Sequence, residues 1–130
     1  MERGGQLVYV GKAGDDLYGR LIEQDLRHRR PSTFFRGLGA VLGYRPPAGS
    51  LRGKKNQSNY KFSATDTQSI IDWIDTHLSV NCVVLAAGTP EQHEPKIIRE
   101  LTPLLNSKHN PKALRQLAEL REECRRIACR

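Results

Sequence analysis

The sequence predicts an α+β fold, because two hydrophobic patterns alternate along its 130 residues. Three short stretches are rich in β-branched and aromatic residues, as strands are: residues 6–12, 59–65 and 80–87. Between and after them, apolar residues recur at the three- and four-residue spacing of amphipathic helices. We expect a single domain, 1–130, with a core over about 6–106 and a further helix over about 111–127.

The beginning of the chain has the pattern of a strand, a turn and a helix. Strand 6–12 is followed by a turn in which Asp15 or Asp16 can cap a helix. Helical spacing then covers residues 17–28, and Pro31 ends it because proline cannot continue a helix.

The next part of the chain has the pattern of a helix and a loop. Ser32 or Thr33 is expected to cap a helix over residues 34–42. Residues 43–59 are rich in Gly, Pro, Lys and Arg, which predicts a basic loop. This loop is long for a compact domain, so we expect it to be mobile or functional.

The middle of the chain predicts a helix and a buried strand. Thr65 or Asp66 opens the helix, and its apolar stripe, which includes Trp73, is far more often core than a ligand site. The continuous apolar run at 80–87 predicts a strand buried on both faces, with Cys82 as a small core residue.

Two more helices are expected near the C-terminal end. Thr89 and Gln92 have the spacing of a capping box, and Pro90 takes the first helical position. That helix runs to Pro103, and the last one covers about 111–127.

Composition limits the possible partners and settings. The chain has 21 Lys and Arg against 14 Asp and Glu, a net charge of +7, which favours a polyanionic partner over a merely basic protein. No apolar run reaches about 18 residues and no charged-then-apolar leader is present, so we expect no membrane span or signal peptide. Three cysteines without CxxC spacing argue against a disulfide framework or zinc site, leaving a reducing cytoplasm as the default.

Three residues could together hydrolyse a phosphodiester. That reaction needs a ligand for a divalent cation, a positive charge at the phosphate and a group that orients water. Glu94, Arg20 and Tyr9 are candidates for these roles, in that order. Each residue alone is a weak signal, since a lone arginine on a helix is usually a solvated charge.

The order and spacing of these residues resemble the GIY-YIG nuclease family. The matching positions are Tyr9, Val10, Gly11 and Lys12; then Leu17, Arg20 and Leu21; then Glu94, Ile97, Ile98, Pro103 and Asn106. Residues 32–43 and 120–126 also look like segments of small stand-alone members. The resemblance therefore spans most of residues 7–126.

The resemblance implies a small antiparallel sheet flanked by helices, and a metal-dependent endonuclease that hydrolyses DNA. Tyr9 would orient water or a general base, and Arg20 would stabilise the charge on the phosphorane. Glu94 would be the single protein ligand of Mg²⁺ or Mn²⁺, which keeps several waters. Asn106 would position the far side of the site, and Lys12 would contact phosphate.

Two features depart from the family pattern. The Gly-Ile-Tyr strand that opens the family domain has no counterpart in residues 1–6, so we expect the strand at 7–10 to present an unprotected edge unless another segment pairs with it. The second departure is Pro95, directly after Glu94. If the helix begins at Pro90, Pro95 kinks it; if the helix begins at Glu94, Pro95 lies in its first turn.

Substrate phosphates are predicted to contact a basic surface. Its residues are Lys12, Arg27, Arg29, Arg30, Arg36, Arg45, Arg52, Lys54 and Lys55. The partner is DNA, with RNA as the alternative. Two other functions fit the sequence: a nucleic-acid-binding module with the same fold and impaired catalysis, or a basic interaction protein whose arginine-rich terminal helix docks on an acidic partner.

Overall fold

The computed structural model describes residues 1–130 and begins with a small β-hairpin. Strand β1 (Glu2–Arg3) pairs antiparallel with β2 (Gln6–Leu7), Glu2 opposite Leu7. Gly4 and Gly5 make the turn at φ of 54° and 81°, a left-handed backbone that glycine adopts without strain. A single antiparallel bridge joins Glu2 to Ser79.

Five helices follow the hairpin. They are a π-helix (Gly19–Leu26), α1 (Thr33–Val41), α2 (Ala64–His77), α3 (Pro90–Leu101) and α4 (Arg115–Cys129). None of them combines the length and the apolar character needed to cross a membrane. With the antiparallel sheet, they confirm the predicted α+β class.

The polar caps explain where most of these helices start. The Asp16 carboxylate accepts a hydrogen bond from the backbone N–H of Gly19, and Ser32 caps α1. The predicted capping box of α3 is confirmed, and α3 begins at Pro90, so Pro95 lies inside it. Helix α2 differs from the prediction, because Ser63 caps it rather than Thr65 or Asp66.

The core lies between α1, α4 and the segments that pass beneath them. Phe34 and Phe35 are fully buried on α1, and Leu117 on α4 packs into the same cluster. Gly39 lets Phe62 approach the helix closely, since a Cβ at this position would lie 2.5 Å from the Phe62 ring. Any larger residue at 39 would therefore push Phe62 out of the core.

Other segments of the chain pair with residues 7–10, so this stretch is not left as an unprotected edge. The backbone N–H groups of Val8 and Tyr9 both donate to the Met1 carbonyl, at 2.8 and 3.3 Å. On the other side, Leu105 donates to the Val8 carbonyl at 2.8 Å. Although regular strand geometry stops at Leu7, the extended segment is held on both sides.

Two of the three predicted strands are absent. Residues 59–63 form no strand, although they bury Tyr60 and Phe62, and residues 64 and 65 already belong to α2. Residues 80–87 form no strand either, and Val83 and Val84 are 80% and 94% exposed. A strand needs a paired neighbour, and this segment has only the bridge at its beginning.

Cys82 therefore lies on the surface, not in the core as predicted. The helix predicted over 17–28 is also different, because residues 19–26 form a π-helix. The last helix starts at Arg115, four residues later than predicted.

Candidate active site

Tyr9 lies at the centre of the candidate site, at the end of the extended segment. Its side chain is buried and its ring packs against Phe34, with ring centroids 4.9 Å apart. The amino group of Met1 donates to the Tyr9 carbonyl at 2.8 Å. Backbone pairing on one side and ring packing on the other fix the position of the Tyr9 side chain.

Gly11 lets three functional groups converge. A Cβ at this position would lie 3.0 Å from Cε1 of Tyr9, 3.7 Å from Nη2 of Arg20 and 3.7 Å from Oδ2 of Asp25. The side chains of Tyr9 and Arg20 are therefore neighbours beside Gly11. The resemblance predicted this convergence of Tyr9 and Arg20, whereas Asp25 was not predicted.

Asp25 holds the guanidinium of Arg20 in place. Nη1 of Arg20 lies 2.5 Å from Oδ1 of Asp25, so the two side chains form a close ion pair. The same oxygen accepts a hydrogen bond from the Ser32 hydroxyl at 2.7 Å. Ser32 in turn accepts from the backbone N–H of Phe35 at 3.1 Å. The arginine is thus tied to the start of α1.

The π-helix explains how Arg20 meets Asp25. Its backbone hydrogen bonds join residues five apart, so residues i and i+5 are stacked on one side. In an α-helix the same two residues would point in different directions. The N–H of Arg27 donates to the Ile22 carbonyl at 3.0 Å, which continues this spacing at the end of the helix.

The protonation states follow from these contacts. Burial lowers the pKa of Arg20, but the charge and hydrogen bonding of Asp25, helped by Tyr9, outweigh it, so the pKa is raised and the group stays charged. Burial raises the pKa of Tyr9, and the negative charge of Asp25 raises it further, while Arg20 opposes both. Tyr9 is therefore a protonated hydrogen-bonding group at neutral pH, which suits orienting water better than removing a proton.

Asn106 fastens the opposite side of the site to the extended segment. Its side chain accepts from the Val10 N–H and donates to the Val10 carbonyl, both at 2.9 Å. Asn110 donates to the carbonyls of Pro103 and Asn106, both at 2.8 Å. The predicted positioning role of Asn106 therefore has a physical basis in this backbone-like pairing.

Glu94 and Lys12 form the remaining side of the candidate active site. Nζ of Lys12 lies 3.4 Å from the Glu94 carboxylate and 3.8 Å from that of Glu91. The Glu94 carboxylate lines the cavity and is partly exposed, and carboxylate oxygen is the kind of ligand that Mg²⁺ takes. No group of three or more His, Cys, Asp or Glu side chains is gathered anywhere in the chain, so water and substrate oxygens would complete the coordination.

Three of the four predicted catalytic positions line one cavity of about 280 Å³. They are Tyr9, Glu94 and Asn106, and Arg20 adjoins the cavity through its contact with Tyr9. The sequence interpretation missed six other polar residues near the site. These are Asp25, Thr33, Ser107, Lys108, His109 and Arg121. Only the positive charge of Lys108 and Arg121 could have suggested a role.

The basic residues predicted to contact phosphate differ in their surroundings, and their contact with phosphate stays a prediction. Most are paired with acidic residues: Arg27 with Asp75, Arg29 with Glu23, Arg30 with Asp16, and Arg45 with Glu123. Arg52 binds the backbone carbonyl of Arg130. Lys54 and Lys55 are exposed and have no ion pair. Arg36 is buried, so its predicted place on the surface is wrong.

Similarity to a family model, and not to an individual known protein, identifies the family of this chain. No curated protein and no solved structure matches the chain. A family model described as the GIY-YIG catalytic domain matches residues 1–124, nearly the whole sequence and every element around the cavity. The chain therefore belongs to the GIY-YIG family, a family of nucleases.

Proposed function

We propose that this protein is a metal-dependent endonuclease that hydrolyses phosphodiester bonds of DNA. The observation that carries the proposal is the cavity lined by Tyr9, Glu94 and Asn106, with Arg20 beside it. Nucleic acid is the substrate class of the family, and the net charge of +7 suits a polyanion. RNA remains the alternative substrate.

Each side of the cavity has a distinct task in hydrolysis. The charged guanidinium of Arg20, fixed by Asp25, stabilises the negative charge that develops on the phosphate. The protonated hydroxyl of Tyr9 orients the attacking water. Lys12 is placed to contact a phosphate oxygen, and Asn106 keeps the cavity wall rigid.

Glu94 is the residue that would hold Mg²⁺ or Mn²⁺. The chemistry that such a cation supplies when bound is polarisation of a phosphate oxygen. One carboxylate is sufficient for Mg²⁺, which retains waters and takes substrate oxygens as further ligands. A reducing cytoplasm is the proposed setting, since all three cysteines are free.

A plasmid-nicking assay tests the proposal. With Mg²⁺ or Mn²⁺ we expect the wild-type protein to nick DNA, and Glu94→Gln to reduce the rate at least about 100-fold through loss of the metal ligand. Glu91→Gln is the matched control, because Glu91 also lies on α3 and also contacts Lys12 but does not line the cavity.

Two outcomes would overturn the proposal. DNA binding without any metal-dependent cleavage would make the protein a nucleic-acid-binding module. Absence of both binding and cleavage would favour the interaction protein, whose basic α4 docks on an acidic partner. A steep fall of DNA affinity with salt would support the first of these outcomes.

A further inference from the structure

Arg36, in the middle of α1, is buried with no acceptor for its charge. Its side chain is only 6% exposed and makes no ion pair and no hydrogen bond. Its Nε and Nη1 atoms have no partner. Burying an unpaired charge is far more costly than burying a neutral group, so an anion bound here would stabilise the position.

The neighbours of Arg36 add donors and positive charge. Its guanidinium lies 5.8 Å from the ring centroid of Tyr60, whose buried hydroxyl also has no partner. Burial lowers the pKa of Arg36; Tyr60 opposes that shift and the positive charge of Arg121 adds to it. Both ring nitrogens of the buried His28 are unpartnered as well. The cluster is rich in donors and has no carboxylate among these members.

The cluster lies beside the catalytic cavity. Arg36 is one turn after Thr33 on α1, and Thr33 lines the cavity. Arg121 of α4 lines the same cavity and passes close to α1, since a Cβ at Gly37 would lie 3.9 Å from its Cδ atom. The line of contact between α1 and α4 therefore connects the unpaired guanidinium to the cavity wall.

We propose that Arg36, Arg121 and Tyr60 form a phosphate-binding subsite next to the catalytic cavity. Two guanidinium groups and a hydroxyl supply the donors that phosphate oxygens accept. The ligand is a phosphate of the nucleic-acid strand, adjacent to the one that is cleaved, so this source rests on the proposed function. Free phosphate has the same chemistry and serves as a probe of the site.

Arg36→Met tests the subsite by binding alone, without a divalent cation. Inorganic phosphate should raise the Tm of the wild-type protein and leave that of Arg36→Met unchanged. A fluorescent single-stranded oligonucleotide should bind Arg36→Met about tenfold more weakly, with its salt slope reduced by about one because one phosphate contact is lost. In phosphate-free buffer the Tm of Arg36→Met should equal or exceed that of the wild type, because an apolar chain replaces the unpaired charge.

Arg125→Met is the matched control, since Arg125 is an exposed arginine of α4 paired with Glu122. It should respond to phosphate as the wild type does. If Arg36→Met does not fold, Arg121→Gln should show the same losses, because Arg121 is only partly buried.

An unchanged phosphate response in these variants would overturn the subsite. A lower Tm of Arg36→Met with an unchanged salt slope would assign Arg36 to the fold instead. Loss of the phosphate response with unchanged oligonucleotide binding would overturn the assignment to the nucleic-acid strand. None of these measurements requires cleavage, so a failure of the nuclease proposal would be seen separately.

Discussion

The two sides of the candidate site, here called the anchored wall and the open wall, hold their charges in opposite ways. On the anchored wall, formed by the π-helix and the start of α1, Arg20 is paired with Asp25, which is only 3% exposed. On the open wall, formed by α3, Glu94 is paired with the half-exposed Lys12. Helix α3 has only Ile98 fully buried, so the open wall is also the more loosely packed.

The difference separates a fixed charge from an exchangeable one. Electrostatic interactions are stronger and less screened by salt on the anchored wall, because water is largely excluded there. A guanidinium held this way keeps its orientation before substrate arrives, which is what stabilising a developing charge requires. On the open wall, a solvated ammonium can leave Glu94 at little cost, as the proposed exchange for a divalent cation requires.

The largest effect is expected from breaking the anchored wall. Asp25→Ala should lower the free energy of unfolding by about 3 kcal/mol, because Arg20 loses its counter-charge and Ser32 its acceptor. Urea denaturation measures this change. The control is Asp75→Ala, which breaks the exposed pair with Arg27 and should cost less than about 1 kcal/mol. Equal costs for the two variants would contradict the comparison.

The second-largest effect is a loss of stability at acidic pH. It is expected from His28, which lies between the π-helix and α1 in the sequence. Burial lowers its pKa from 6.5 to about 4, and the charges of Arg36 and Lys61 contribute. Below pH 6.5 the unfolded chain binds a proton that the folded protein excludes. Stability is therefore complete above pH 6.5 and falls towards pH 4, by about 2 kcal/mol between pH 8 and pH 5.

Urea denaturation at each pH compares the wild type with His28→Asn. Asparagine is the appropriate replacement because residue 28 has a φ of 52°, which asparagine tolerates. We expect the variant to lose that part of the pH dependence while remaining folded at pH 8. Identical slopes in both proteins would show that His28 is not the group that titrates.

Local signals in the sequence predicted where most helices begin. They did not predict which segments distant in sequence pair as strands. Ser32 and the capping box of Thr89 and Gln92 were predictable because a cap depends only on residues three apart. The apolar run at 80–87 was predicted as a buried strand, since hydrophobicity does not reveal whether a partner strand is adjacent. The α+β class was therefore predictable, while the extent of the sheet was not.

The residues of the candidate site were also predicted only in part. Family motifs predicted Tyr9, Arg20, Glu94 and Asn106, which the structure brings together. Asp25 was missed because a five-residue spacing carries no meaning on an α-helix, and the π-helix that stacks it on Arg20 was not predictable from apolar periodicity. Residues of the 107–109 loop were missed because tertiary packing alone brings them to the cavity.

The smallest effect on stability, less than about 0.5 kcal/mol, is expected from Lys12→Met on the open wall, because its ion pairs are solvated. The informative readout is binding of Mn²⁺, measured by electron paramagnetic resonance. Removing the ammonium that competes for Glu94 should tighten Mn²⁺ binding by about three- to fivefold, equivalent to an ion pair of about 0.7–1 kcal/mol. Lys96→Met controls for the loss of one positive charge, since Lys96 lies exposed on α3, the helix of Glu94, without an ion pair. This control should change Mn²⁺ affinity less. Weaker or unchanged binding in Lys12→Met would mean that the two cations do not share the carboxylate, and the open wall would then be as fixed as the anchored one.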